Sequence, residues 1–198
     1  YLDDLYNYEL FKKIKNIKTH FRIGTDCSGI EAPIMALKLL KIPFIHEFSS
    51  EINISAIESI KSNYNPKKIY NDMTKRNHKN LSDIDIYVAG FPCQSFSTIN
   101  SSGTRGFGEK KQNKGIIFFE CYDVIKTKLP KIFILENVKN VINHDKKKTF
   151  KTILYYLNSI KKYNIYWKIL NTKNFNLPQN RPRLYIVGIR KDIEKKKI

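Results

Sequence analysis

The chain has 198 residues, 41% of them hydrophobic, enough to bury one sizeable core. Its 36 Lys and Arg against 18 Asp and Glu leave a net charge of +18, which points to a polyanionic partner, nucleic acid first. No apolar run reaches the roughly 18–20 residues that cross a membrane, and no signal-peptide pattern opens the chain.

Residues 1–20 read as a basic amphipathic lead-in helix, with Leu5, Phe11, Ile14 and Ile17 able to share one face. Strands and helices then alternate. Phe21–Cys27 reads as strand, Glu31–Leu40 as helix, Pro43–Ser50 as strand and Ile54–Tyr64 as helix. Lys68–Asn71 is a short strand and Ile84–Ala89 a buried one. Thr98–Asn113 is polar and carries Gly103, Gly106 and Gly108, so it reads as a mobile loop. Gly115–Lys128 is a helix, Lys131–Leu135 a strand and Thr149–Lys161 a helix. Tyr166–Asn171 and Leu184–Ile189 are the final strands. This alternation predicts an α/β fold with a mostly parallel sheet covered on both faces.

In open α/β sheets the chemistry lies at the carboxyl ends of strands. Gly90-Phe91-Pro92-Cys93-Gln94 follows one such end, which makes Cys93 a candidate nucleophile rather than a buried structural thiol. Glu136-Asn137-Val138 follows another and brings a carboxylate to the same edge. Arg181 and Arg183, just before the last strand, suit bidentate binding of a carbonyl or a phosphate. The turn Asp26-Cys27-Ser28-Gly29-Ile30-Glu31 joins the first strand to the first helix, where a doubly wound fold binds a nucleotide-like ligand. Its single small-residue signal also fits an ordinary tight turn. Glu51 closes the second strand and can accept hydrogen bonds from ribose hydroxyls. Asp72 follows the third and can face an adenine amino group or cap a turn. Three cysteines (Cys27, Cys93, Cys121) without a C-x-x-C pair, and four scattered His, supply no disulfide framework or metal-ligand set and fit a reducing compartment. The abundance of Lys, Asn, Ile, Tyr and Phe is also what an AT-rich coding sequence gives, so charge alone does not establish nucleic-acid binding.

Gly90-Phe91-Pro92-Cys93-Gln94-Ser95-Phe96-Ser97, then Glu136-Asn137-Val138, then Pro178-Gln179-Asn180-Arg181-Pro182-Arg183, in that order, resemble the cytosine-5 methyltransferases, from Phe21 to about Asp192. The resemblance implies a Rossmann-like S-adenosylmethionine-dependent methyltransferase fold with an antiparallel last strand. It implies that Cys93 attacks carbon 6 of cytosine, Glu136 protonates nitrogen 3, and Arg183, supported by Arg181, holds the carbonyl oxygen at position 2. The cofactor S-adenosylmethionine would lie along Asp26, Cys27, Ser28, Gly29 and Ile30. Glu51 and Ile52 would serve its ribose and adenine, Asp72 and Met73 its adenine, and Gly90, Pro92 and Gly115 its methionine end. The substrate would be double-stranded DNA, its target base flipped out of the stack and covered by the loop after Cys93. The expected setting is inside a cell, in restriction–modification or in protecting viral or phage DNA. Transfer-RNA methylation by the related branch is disfavoured by the lack of a Cys-Phe-Thr element. A catalytically silent binding lobe is the alternative outside the enzymes.

The first turn of this family usually reads Phe-x-Gly-x-Gly-Gly, whereas here Cys27, Glu31 and Ala32 replace the aromatic and two of the glycines. Ile52 also stands where an aromatic often stacks on adenine. The domain organisation expected is a lead-in at 1–20, a catalytic domain at 21–192 and a basic tail or linker at 193–198. The chain opens on Tyr1 and ends soon after the arginine pair, so a target-recognition domain is expected elsewhere, in a longer protein or a separate chain.

Overall fold

The computed structural model describes residues 17–92 and 116–195. Most of the lead-in helix expected over 1–20 and all of the loop expected over 98–113 fall outside these. Residues 17–20 carry no helix.

The described elements are β1 (Phe21–Asp26), α1 (Ala32–Leu39), β2 (Phe44–Ser50), α2 (Ile54–Asn63), β3 (Lys68–Tyr70), β4 (Ile86–Ala89), α3 (Ile116–Lys128), β5 (Ile132–Val138), α4 (Lys148–Ser159), β6 (Tyr163–Asn171) and β7 (Pro182–Arg190). The seven strands form one sheet in the order β3-β2-β1-β4-β5-β7-β6. β3, β2, β1, β4 and β5 are mutually parallel, and β7 runs antiparallel between β5 and β6. Strand order runs outward one way from β1 to β3 and the other way from β4 to β6. Right-handed crossovers therefore set α1 and α2 on one face and α3 and α4 on the other. The reversal lies between β1 and β4, and their diverging carboxyl ends open a crevice there.

The core is aromatic and aliphatic, with Phe48, Tyr87, Phe118, Phe133, Ile125, Leu135 and Leu157 fully buried. Two glycines make room for it. Gly24 pairs with Phe48 across β1 and β2, and Gly188 with Phe133 across β5 and β7. A Cβ on Gly24 would lie 2.3 Å from the Phe48 ring, and one on Gly188 would lie 2.0 Å from the Phe133 ring.

Strand ends differ from those the sequence pattern suggests. β5 does not stop at Leu135 but continues through Glu136, Asn137 and Val138, because β7 offers them Tyr185, Leu184 and Arg183 as partners. β6 begins at Tyr163, opposite Arg190, and β7 at Pro182, opposite Asn171. Pairing on both sides of β7 carries the ladder past the apolar runs that mark these strands in the sequence. Proline is tolerated at Pro182 because it is the strand's first residue.

Candidate active site

Glu136 sits on β5 one residue beyond Leu135, the partner of Ala89 at the end of β4. Its carboxylate therefore lies beside Gly90, where a Cβ would come within 3.4 Å of Glu136 Oε2 and 4.0 Å of the Cys27 carbonyl. Glu136 faces Tyr185 across the ladder, and Arg183 faces Val138, so all four share one face of the sheet. Arg183 Nε approaches Glu136 Oε1 at 3.1 Å. Burial raises the pKa of Glu136, and the positive charges of Arg183 and Arg181 only partly offset this. A carboxyl that resists ionisation is suited to giving a proton to a ring nitrogen.

Asn137 points to the opposite face and is buried; its Nδ2 donates to the Phe91 carbonyl at 3.0 Å. This bond ties the end of β5 to the segment that leads into Pro92 and Cys93. Asn171 has a similar part at the other strand end. Its Oδ1 accepts from the Arg181 amide at 3.0 Å, and its Nδ2 donates to Asn180 at 2.8 Å. Asn137 stands in the Glu136-Asn137-Val138 motif, but its bond to Phe91 is not legible in the sequence because the partner lies 46 residues away, and Asn171 carries no signal there at all. Arg181 and Arg183 also line a second hollow of about 190 Å³ with Phe175, Leu177 and Tyr185.

The crevice holds a cavity of about 320 Å³ lined by Cys27, Ser50, Glu51, Ile52, Asp72, Met73, Gly90, Pro92 and Ile117. Seven of the expected cofactor positions (Cys27, Glu51, Ile52, Asp72, Met73, Gly90 and Pro92) thus meet here. Glu51 Oε2 accepts from the Gly29 amide at 2.7 Å, and Oε1 accepts from the Ile52 and Asn53 amides at 2.9 Å. The carboxylate thereby fixes the turn and keeps acceptor capacity for a hydroxyl. Asp72 Oδ1 accepts from the amide and hydroxyl of Thr74. Burial pulls the Asp72 pKa upward, but the Thr74 hydrogen bonds and the Lys75 charge outweigh it and leave the carboxyl below its usual range. Ile52 is 76% exposed at the rim, an apolar surface that a flat base would cover. Two carboxylates beside Ile52, Met73 and Ile117 fit the hydroxyls, amino group and flat adenine of S-adenosylmethionine. Among the described residues no group of His, Cys, Asp and Glu is arranged to hold a metal ion.

The turn itself is strained and heavily bonded. Cys27, Gly29 and Glu31 have φ of 50°, 53° and 64°, so two non-glycine residues take the left-handed conformation. The buried Ser28 hydroxyl bonds to Thr25 and to the Ser50 backbone. The buried Glu31 carboxylate accepts from the Thr25 and Ser49 hydroxyls, each at 2.6 Å. Cys27 has its thiol pKa pushed up to about 12, by burial and then by the Asp26 and Glu51 charges, so it is no nucleophile.

The remaining expected positions stand apart from the cavity lining. Asp26 turns inward and is buried against Tyr87 and Arg76. Ser28 also points inward, Gly29 acts through its amide, and Ile30 is exposed on the outer side of the turn. Cys93 and Gly115 lie outside the described residues.

The profile of the C-5 cytosine-specific DNA methylase family matches residues 25–198. The chain is 46% identical over 141 residues to the Type II methyltransferase M1.ScrFI of Lactococcus lactis subsp. cremoris, an alignment covering 71% of this chain and 34% of that protein. It is 38% identical over 176 residues to the orphan methyltransferase M.SPRI of Bacillus phage SPR, covering 88% and 39%. The chain thus spans about a third of the length of the curated relatives it matches. The solved structure of the S. pombe Dnmt2 methyltransferase superposes with a TM-score of 0.69 at 22% identity, covering 90% of this chain and 53% of that one.

Proposed function

Because the chain belongs to the C-5 cytosine-specific DNA methylase family, we propose that residues 21–192 form the catalytic domain of an enzyme that methylates carbon 5 of cytosine in DNA. The observation that carries this reading is the placement of Glu136. Its pKa is raised, Arg183 lies 3.1 Å away, and it stands beside Gly90 at the edge where the chain leads into Pro92 and Cys93.

In this reading the Cys93 thiolate bonds to carbon 6 of a flipped cytosine while Glu136 gives its proton to nitrogen 3. The electron pair of the 5,6 double bond moves to carbon 5, which takes the methyl group. S-adenosylmethionine, when bound, supplies that methyl. Removal of the carbon 5 proton, departure of the Cys93 sulfur and return of the nitrogen 3 proton to Glu136 restore the ring. Arg183 holds the carbonyl oxygen at position 2 and Arg181 supports it. Glu51 and Asp72 bind the ribose and adenine of the cofactor, with Cys27, Ile52, Met73, Gly90, Pro92 and Gly115 around it. Asn137 keeps the Phe91 carbonyl, and so the approach to Cys93, in register with Glu136.

The substrate class is duplex DNA, cellular or phage-derived, inside a cell. The matched stretch makes up only about a third of these relatives, so we assign choice of the target sequence to a recognition segment or partner chain beyond residues 21–192.

The test is covalent trapping on duplex DNA containing 5-fluorocytosine, with S-adenosylmethionine present. Fluorine cannot leave as a proton does, so a denaturing gel is expected to show a shifted band. That band is expected to vanish in Cys93→Ser and to weaken strongly in Glu136→Gln. A band that persists in Cys93→Ser refutes the nucleophile. Failure of the chain to bind S-adenosylmethionine refutes the reading of the cavity.

A further inference from the structure

Beneath the cavity lies a buried charge that the chemistry above does not use. The Arg76 side chain is only 5% exposed. Its Nη2 donates to Asp26 Oδ2 at 2.5 Å, and the same oxygen accepts from the Tyr87 hydroxyl at 2.6 Å. The guanidinium lies against two rings, 4.9 Å from the Phe48 centroid and 5.0 Å from that of Tyr70. Its Nε donates to His78 Nδ1 at 3.4 Å, and His78 Nε2 lies 2.7 Å from Glu120 Oε2 on α3.

Each of these contacts reaches a segment that lines the cavity. Asp26 precedes Cys27. Phe48 lies on β2 just before Ser50 and Glu51. Tyr70 ends β3 just before Asp72 and Met73, and its carbonyl accepts from the Glu51 amide at 3.0 Å. Glu120 lies one helical turn from Ile117. Tyr87 lies on β4, which ends at Ala89, next to Gly90. One side chain thus gathers the five backbone segments that form the cavity, three by direct contact and two through Asp26 and His78, though it is not itself in the lining.

Packing alone is a poor reason to keep such a charge. Arg76 Nη1 and Asp26 Oδ1 are buried without a hydrogen-bond partner among the described residues, so the pair is incompletely satisfied. A buried ion pair of this kind is often no better for stability than apolar side chains of the same volume. What apolar side chains cannot supply is directed contact in several directions at once.

We infer that Arg76 is a positioning residue, the tie that holds the walls of the cofactor cavity at their working separation. Its effect on the cofactor rests on the reading of the cavity given above; its effect on the walls does not.

The test compares the wild-type chain with Arg76→Lys and with the double variant Asp26→Asn/Arg76→Met. The double variant removes both charges, so none is left buried alone, and the side-chain amide introduced in place of the Asp26 carboxylate still offers Tyr87 an acceptor. Thermal unfolding is expected to show both variants folded. Hydrogen exchange is read at the Gly29, Glu51 and Thr74 amides, which bond within the cavity walls. In the double variant these are expected to exchange about tenfold faster, with the β5 and β7 amides unchanged. Arg76→Lys keeps the pairing with Asp26 but loses the flat stack and the His78 bond. It is expected to protect Gly29 as the wild type does while Thr74 loosens. The dissociation constant of S-adenosylmethionine, by calorimetry, is expected to rise about tenfold in the double variant. Unchanged exchange at all three amides in the folded double variant overturns the inference. If the wild type binds no S-adenosylmethionine, the cavity reading fails, and the exchange comparison still decides the role of Arg76.

Discussion

At Glu136 burial favours the protonated carboxyl, and the Arg183 and Arg181 charges recover only part of the cost. The native value therefore lies above that of the unfolded chain, and the folded state holds this proton more tightly. The stability this contributes is full below the unfolded value and is lost as pH rises through the native one. Glu136→Gln cannot ionise and escapes that loss. Its melting temperature at pH 8 is expected to equal or exceed that of the wild type, with the advantage gone at pH 4. A variant less stable than the wild type at pH 8 would mean that the Arg183 pairing outweighs burial. Methyl transfer by the same variant is expected to fall by about 10²–10⁴-fold, the usual worth of a positioned general acid. Stability gained and activity lost together are the mark of a group kept for chemistry. Cys27 is the opposite case, a thiol in the cavity wall that does no chemistry. With a pKa of about 12, roughly one part in ten thousand is thiolate at pH 8. Brief iodoacetamide treatment followed by peptide mass spectrometry is expected to leave Cys27 unmodified. Rapid labelling there would mean that the turn opens far more than its hydrogen bonds suggest.

The turn from β1 to α1 shows how an element keeps its shape with an unusual sequence. Glu31 stands where the resembling family carries glycine, and it takes the left-handed backbone that glycine would take at no cost. Its carboxylate compensates by accepting from Thr25 and Ser49. Glu31→Ala keeps the strain and removes the shortest hydrogen bond of both hydroxyls, so a loss of about 1–3 kcal/mol is expected in urea unfolding. Glu31→Gly relieves the backbone and should cost less; equal losses would show that the strain is negligible. In the sheet, Gly188→Ala drives a methyl into the Phe133 ring and is expected to cost about 1–3 kcal/mol. Most elements were legible in the sequence because apolar runs alternate with Gly, Pro and Asn turns. The place of Glu136 at a strand's carboxyl end was legible from the apolar run before it, whereas the nearness of Arg183 was expected only from the family resemblance. The continuation of β5 through Val138 was not, since it depends on which strand lies alongside. Nor was the inward turn of Asp26, whose partner Arg76 lies 50 residues away and leaves no local pattern.

For the whole molecule, the question is whether a net charge of +18 is a DNA-binding surface or only the residue usage of the chain. Location separates the two. Lys146, Lys147 and Lys148 are exposed and consecutive, on the stretch between the carboxyl end of β5 and the first turn of α4. That is the edge of the sheet where Glu136 and Gly90 meet. Cations at a helix N-terminus oppose the helix dipole, and no acidic residue in the first turn of α4 offsets them. The run therefore works against the fold locally, as expected of charge kept for a ligand. Replacing all three by Ala should leave the melting temperature unchanged or slightly raised. If the three lysines meet phosphates, the slope of log K against log salt for duplex DNA should fall in magnitude by about 2–3. Fluorescence anisotropy from about 50 to 200 mM salt measures both the slope and the affinity. A slope unchanged in the triple variant would place the DNA path elsewhere and leave this run to composition. A changed slope with an unchanged fold would extend the proposed site from Glu136 to the phosphate backbone of the bound DNA.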